Sequence, residues 1–299
     1  MASTDYMGHI KKVKGEFMGL ILFSAAGMML LPSPVELITI YVSLELVALP
    51  LVALSAFLAT PNSSEAGLKF LILSGVSSAL LLYGMVLVYG LSGSTYLTEI
   101  SQTVSATADI GFPFGTHVLL MGVLLIVAGF GFKISSVPFH MWVPDVYGGG
   151  PLPVVAFLSV ASKAVGFAIV IRVFYVAFPV FELDWAMLFA VLAAASMTLG
   201  NILAMVQGNI RRLMGYSTIA HAGYIMVGLA AIASRTQDGS DAGPSGLLFY
   251  LVAYAATNLA SFFAIIAISN KVGSDAVSYT HLRAHETRHD LVCRLLLEK

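Results

Sequence analysis

The sequence predicts an all-α bundle of about eight transmembrane helices in one domain, and three observations carry that prediction. Hydrophobic residues make up 58% of the 299 and charged residues only 10%, whereas a soluble domain is about a quarter charged. Mean hydropathy is +0.90. Apolar stretches of roughly 20 residues, the length that crosses a hydrocarbon core about 30 Å thick at about 1.5 Å per residue, recur along the chain.

The elements follow in order. Met1 to Glu16 is a polar flank holding Lys11, Lys12 and Lys14. It resembles the start of a signal peptide, but Pro32 and Pro34 stand where small residues would mark a cleavage site, so the flank is read as retained. The spans then run from Phe17 to Leu31, which is short, Val35 to Leu58, Leu68 to Leu91, Val118 to Val143, Leu152 to Phe178, Leu183 to Val206, Leu213 to Ala233 and Gly246 to Ser269. The transmembrane domain is therefore residues 17–275. The closing stretch VSYTHLRAHETRHDLVCRLLLEK is basic and His-rich, unlike anything before it, and resembles one reading frame of a sequencing-library adapter. Residues 276–299 are read as a non-native tail, the alternative being a soluble cytoplasmic one.

Basic residues concentrate on the cytoplasmic side of a bilayer, so alternate loops should differ in Lys and Arg. With the N-terminus cytoplasmic, the inner flanks and loops hold Lys11, Lys12, Lys14, Lys69, Arg211, Arg212 and Lys271, and the outer loops hold only Arg235. The segment from Ser92 to His117 has Glu99 and Asp109 but no Lys or Arg, as an outer loop should. Arg172, near the outer end of the fifth span, is expected to snorkel to the interface.

Small residues mark expected helix contacts: Gly75, Ser77 and Ser78 in the third span, and Ala193 to Ser196 in the sixth. The alternative is that they simply face lipid. The fourth span reads GFGFKISSVPFHMWVPD. Pro138 removes a backbone donor five residues after Lys133, with Ser135 and Ser136 available to bond the freed carbonyls, so a broken helix is expected there. Broken helices at membrane depth line cavities or ion sites, because backbone polar groups exposed to lipid cost several kcal/mol.

Charges lie within these spans. Glu45 sits near the centre of the second, Lys163 at similar depth in the fifth, and Lys133 somewhat beyond the middle of the fourth. Each costs about 2.5 to 3.5 kcal/mol to insert, so each must face protein or water. Burial and pairing shift the ionisation of such groups in opposite directions, and groups held between the two effects exchange protons near neutrality. The alternative is a static ion pair between Glu45 and one lysine, which leaves the other lysine unpaired, the costly case. His140, after the break, either relays protons or hydrogen-bonds the interrupted helix. His221, among Tyr216, Ser217 and Tyr224, reads as a satisfied core histidine or a further relay.

Several function classes are excluded. The formal net charge of -1 gives no basic surface for nucleic acid. The single cysteine, Cys293, excludes an internal disulfide and a cysteine-held metal or iron–sulfur cluster, and no GxGxxG or P-loop occurs. A single HExxH match, His285 to His289, falls in the tail and is not taken as a zinc site. The chain is expected to bind no metal, nucleotide or redox cofactor.

The stretches SLELVALPL, KFLILSGVSSALLLYGMVLVYG, GFGFKISSVPFHMWVPDVYGGGPLPVVAFLSVASKA and NIRRLMGYSTIAHAGYIMVG resemble the antiporter-like proton-pumping subunits of respiratory complex I, most closely the N type of NADH:quinone oxidoreductase. The VPFHMWVPDVY block is specific, since the related L and M subunits and cation/proton antiporter subunits typically read LPDA there. The resemblance implies fourteen helices with two inverted five-helix repeats, of which these spans match the fourth to eleventh. The first helices, and the broken twelfth with the lysine that completes the path, are expected to be missing, leaving the second repeat truncated. It further implies that Glu45 tunes Lys133 and that Lys133 passes a proton to Lys163 along a hydrated axis. Arg211 occupies a position where lysine is common, an exchange expected to be neutral.

On that resemblance the chain is a multi-pass subunit of a bacterial inner membrane, part of a proton-translocating NADH:quinone oxidoreductase of the respiratory chain. NADH, FMN, iron–sulfur centres and quinone are then held by partner subunits. Two rival readings are a cation/proton antiporter subunit, against which the PDVY block argues, and a structural scaffold whose charges only pair.

Overall fold

The computed structural model of the chain describes residues 14–110, 113–179, 182–231 and 242–272. Lys11, Lys12, Arg235, the tail from 276 and its HExxH match lie outside them. Ten helices make up the described residues: α1 (Lys14–Leu30), α2 (Leu37–Ser55), α3 (Pro61–Ser92), α4 (Leu97–Ile110), α5 (Pro113–Ile134), α6 (Trp142–Gly149), α7 (Leu152–Ala177, with a π turn at Leu158–Ser162), α8 (Glu182–Met205), α9 (Ile210–Ala230) and α10 (Ala242–Val272). Each predicted span is helical, the fourth with an interruption after Ile134, and six of the helices are long and apolar enough to cross a membrane by themselves. The other two spans are α1, with only 17 residues, and α9, whose arginines, histidine and tyrosines make it more polar.

Local chemistry sets the boundaries. Pro61 occupies the first turn of α3, where its missing N–H costs nothing, and Thr60 caps it by accepting from Ser63 N at 3.3 Å. Gly93 ends the helix at φ +70°, a conformation that favours glycine. Asn209 caps α9 by accepting from Arg211 N at 2.9 Å.

Helices pack through small residues, as membrane helices do. A Cβ at Gly84 on α3 would lie 2.7 Å from Gly122 O on α5, and one at Gly223 on α9 would lie 2.9 Å from Ala193 O on α8. The Ala193 to Ser196 stretch therefore does form a contact, and Ser77 and Ser78 are buried, but Gly75 faces open space. The expected outer loop from Ser92 to His117 differs more. It contains α4, whose Leu97, Ile100 and Val104 form a buried stripe at helical spacing against α3 and α7. Arg172 binds the loop that joins α1 and α2. Its guanidinium donates to Pro34 O at 2.7 Å, Pro32 O at 3.0 Å and Ser33 O at 3.3 Å, tying the α1–α2 loop to α7.

The turns α2–α3, α6–α7 and α8–α9 share one end of the bundle with the start of α1, the basic end. There Lys69 pairs with Asp145 at 2.9 Å and Glu65 at 2.8 Å, and Arg212 pairs with Asp145 at 3.0 Å. These contacts pin α6 to α3 and α9.

Candidate functional site

The predicted break near Pro138 is present. Helix α5 ends at Ile134, one residue after Lys133; Ser135 takes φ +64°, and the chain resumes as α6 at Trp142. The freed carbonyls are bonded inside the protein, as membrane depth demands. Gly131 O accepts from Ser136 N at 2.8 Å and Ser136 Oγ at 3.3 Å, and Phe132 O accepts from Ser135 N at 3.1 Å and the Trp142 indole at 3.1 Å. Val137 N donates to Ser196 Oγ on α8 at 2.9 Å. Ser136 was legible as a partner for the break; Trp142 and Ser196 were not.

Glu45 on α2 and Lys133 are brought together. Lys133 Nζ stands 3.9 Å from Glu45 Oε1, with 11% of the lysine side chain and 25% of the glutamate side chain exposed. Two hydroxyls of α3 complete the group. Ser78 Oγ donates to Glu45 Oε1, and Lys133 Nζ donates to Ser74 Oγ at 3.4 Å. Positions 74 and 78 are four apart, so both hydroxyls face the same side of α3.

Lys163 is 2% exposed and follows the π turn of α7 directly. Among the described residues it forms no ion pair with a carboxylate. Its Nζ donates to Thr218 O on α9 at 2.6 Å and lies 5.9 Å from the centre of the Tyr254 ring. Tyr254 OH donates to Ser159 O, in the π turn, at 3.0 Å and lies 3.3 Å from Thr218 Oγ1, while Asn258 Nδ2 donates to Ser159 Oγ at 2.7 Å and to Tyr254 OH at 3.2 Å. A π turn is a common feature of functional helices; here Tyr254 bonds one of its carbonyls.

A small cavity of about 30 Å³ lies beside Lys133, lined mainly by apolar side chains such as Leu44, Phe70, Trp142 and Leu158, with Ser162 of the π turn at its edge. Gly166 lets α7 approach the end of α5 closely, since a Cβ there would meet Ile134 Cγ2 at 3.1 Å and Lys133 O at 3.8 Å.

The secondary candidates separate. His140 sits in the break, with Nδ1 buried and the backbone of Pro138 beside its ring. His221 Nδ1 is 2.8 Å from Tyr250 OH, and its ring centre is 5.2 Å from that of Tyr254. Lys69 joins the ionic clamp at the basic end, not the Glu45 pair. The sequence reading missed Ser74, Thr218, Tyr254 and Asn258, and took Ser78 only for a small contact residue. Hydroxyls four residues apart in an apolar helix were the available signal for the serines.

The model of the family described as NADH:quinone oxidoreductase/Mrp antiporter, transmembrane, matches residues 35–289. The chain belongs to this NADH:quinone oxidoreductase/Mrp antiporter family. It is 46% identical over 281 residues to NADH-quinone oxidoreductase subunit N of Dehalococcoides mccartyi, covering 93% of this chain and 57% of that protein. The subunit N of Moorella thermoacetica is 41% identical over 297 residues, covering 99% and 59%. This chain of the antiporter family thus spans somewhat more than half the length of these relatives. Among solved structures, respiratory complex I from Thermus thermophilus aligns with TM-score 0.66 and 36% identity over 83% of this chain and 50% of the matched one. The Mrp complex of a Dietzia species aligns with TM-score 0.73 at 21% identity, covering 84% and 44%, a likeness of fold alone. The chain is accordingly a multi-pass membrane protein of antiporter-like fold.

Proposed function

We propose that this chain is the proton-translocating part of a subunit N of NADH:quinone oxidoreductase, working in a hetero-oligomeric membrane complex in which NADH, FMN, iron–sulfur centres and quinone are held by other subunits. The observation that carries the reading is the Glu45–Lys133 pair at 3.9 Å beside a helix break. The translocating domain is residues 17–275. By the distribution of Lys and Arg, the basic end faces the cytoplasm of a bacterium, and the chain lies in the inner membrane with its N-terminal flank inside.

The residues act as protonatable groups and not as nucleophiles. Lys133, protonated, is balanced by Glu45. Passage of its proton to Lys163 leaves Lys133 neutral and Lys163 charged. Thr218 O, already 2.6 Å from Lys163 Nζ, is an acceptor suited to the ammonium form. His140 and His221 are secondary relay groups in this reading.

The test is Lys163→Gln in the full-length subunit, assembled in its complex and reconstituted in vesicles. Lost proton pumping with intact assembly is expected. Unchanged pumping with intact assembly removes the relay, and sodium-dependent proton flux would favour a cation/proton antiporter instead.

A further inference from the structure

Ion pairs of this chain differ in length in a direction opposite to simple expectation. At the water-exposed basic end, Lys69–Glu65, Lys69–Asp145 and Arg212–Asp145 close to 2.8, 2.9 and 3.0 Å. The interior pair, where a lower dielectric strengthens attraction, stands apart at 3.9 Å. Something in the interior holds it open, and two α3 hydroxyls are in position to do so. Ser78, 6% exposed, donates to Glu45 Oε1, the same oxygen that faces Lys133. Ser74, 5% exposed, accepts from Lys133 Nζ one turn away.

We propose that Ser78 is a positioning residue of the relay: by occupying Glu45 Oε1, with Ser74 drawing off the ammonium of Lys133, it keeps Glu45 and Lys133 as a separated pair that can be split during proton transfer. This inference rests on the relay reading of Glu45 and Lys133. A pair in contact at about 2.9 Å is held more tightly than one at 3.9 Å by about tenfold at an effective dielectric of about 20. Without Ser78, Oε1 is free, the pair closes, and Lys133 surrenders its proton more slowly. Ser77 is a built-in control. It is buried on the same helix, but its hydroxyl donates to Gly129 O at 3.1 Å and does not touch the pair.

The experiment compares Ser78→Ala, Ser78→Thr and Ser77→Ala in the full-length subunit within its complex, each also in a Glu45→Gln background. It reads proton pumping at matched assembly and the infrared carboxyl band assigned to Glu45 by its loss in Glu45→Gln. Expected are a five- to tenfold loss of pumping and a displaced Glu45 band in Ser78→Ala, recovery of both in Ser78→Thr, no such change in Ser77→Ala, and no further loss from Ser78→Ala once Glu45 is Gln. Equal losses in both backgrounds, or an unmoved band, overturn the positioning role. Normal pumping by Glu45→Gln alone would count against the relay reading, while the band still decides whether Ser78 holds Glu45.

Discussion

Arg211 Nε donates to Tyr147 O at 2.9 Å, and the same guanidinium reaches Gly150 O, so one 7% exposed side chain of α9 binds two carbonyls at the end of α6. The expectation that lysine would serve equally well at this position meets a specific objection. An ammonium has no planar fork with which to span two fixed carbonyls. Arg211→Lys should cost about 1 kcal/mol, and Arg211→Met about 3 kcal/mol because both buried carbonyls lose their partner. Thermal unfolding of the detergent-solubilised protein measures both; equal melting of wild type and Arg211→Lys would show that a single bond suffices.

Gly166→Val crowds the contact between α7 and the end of α5 beside Lys133. The new side chain would begin 3.1 Å from Ile134 Cγ2, so Ile134 or Lys133 must shift. Proton flux in vesicles, normalised to assembled subunit, should fall by about tenfold or more, because the proposed transfer from Lys133 depends on how closely α5 approaches α7. Gly166→Ala should be milder. Full flux in Gly166→Val would mean that protons take another route.

Tyr254→Phe keeps the ring beside Lys163 but removes the hydroxyl that binds Ser159 O and Thr218 Oγ1 and accepts from Asn258. A loss of about 1 to 2 kcal/mol is expected, because the π-turn carbonyl and the amide are left partly unpaired. Asn258→Ala combined with Tyr254→Phe should cost less than the sum of the separate losses, which a double-mutant cycle of unfolding midpoints detects.

Asp145→Asn tests the clamp at the basic end. It weakens the contacts to Lys69 and Arg212, which are solvent-exposed and therefore individually weak. A small drop in melting temperature is expected at low salt, and it should shrink toward zero at about 1 M salt, where screening acts over about 3 Å. A large drop that salt does not change would point to packing of α6 instead of charge.

Much of the architecture was legible. Span lengths, the break at Pro138 and the depth of Glu45, Lys133 and Lys163 follow from hydropathy and one proline, because lipid allows so few ways to bury a backbone. The helix inside the predicted outer loop was not read, since among its described side chains the buried stripe of α4 is Leu97, Ile100 and Val104 on a largely polar segment. The partners of the site were less legible still. Nothing local distinguishes Ser78, which touches Glu45, from Ser77, which binds Gly129 O.

Residue types and their spacing were enough to place this chain in a membrane, to interrupt its fourth span and to put three charges at depth, because insertion cost depends on composition and position along a helix. The arrangement of those charges was a matter for the assembled bundle. Glu45 pairs with Lys133 at 3.9 Å, while Lys163 turns to Thr218 O. That choice depends on how each helix is rotated and how closely its neighbours approach, quantities fixed by glycine contacts and by a π turn that no single stretch of sequence contains.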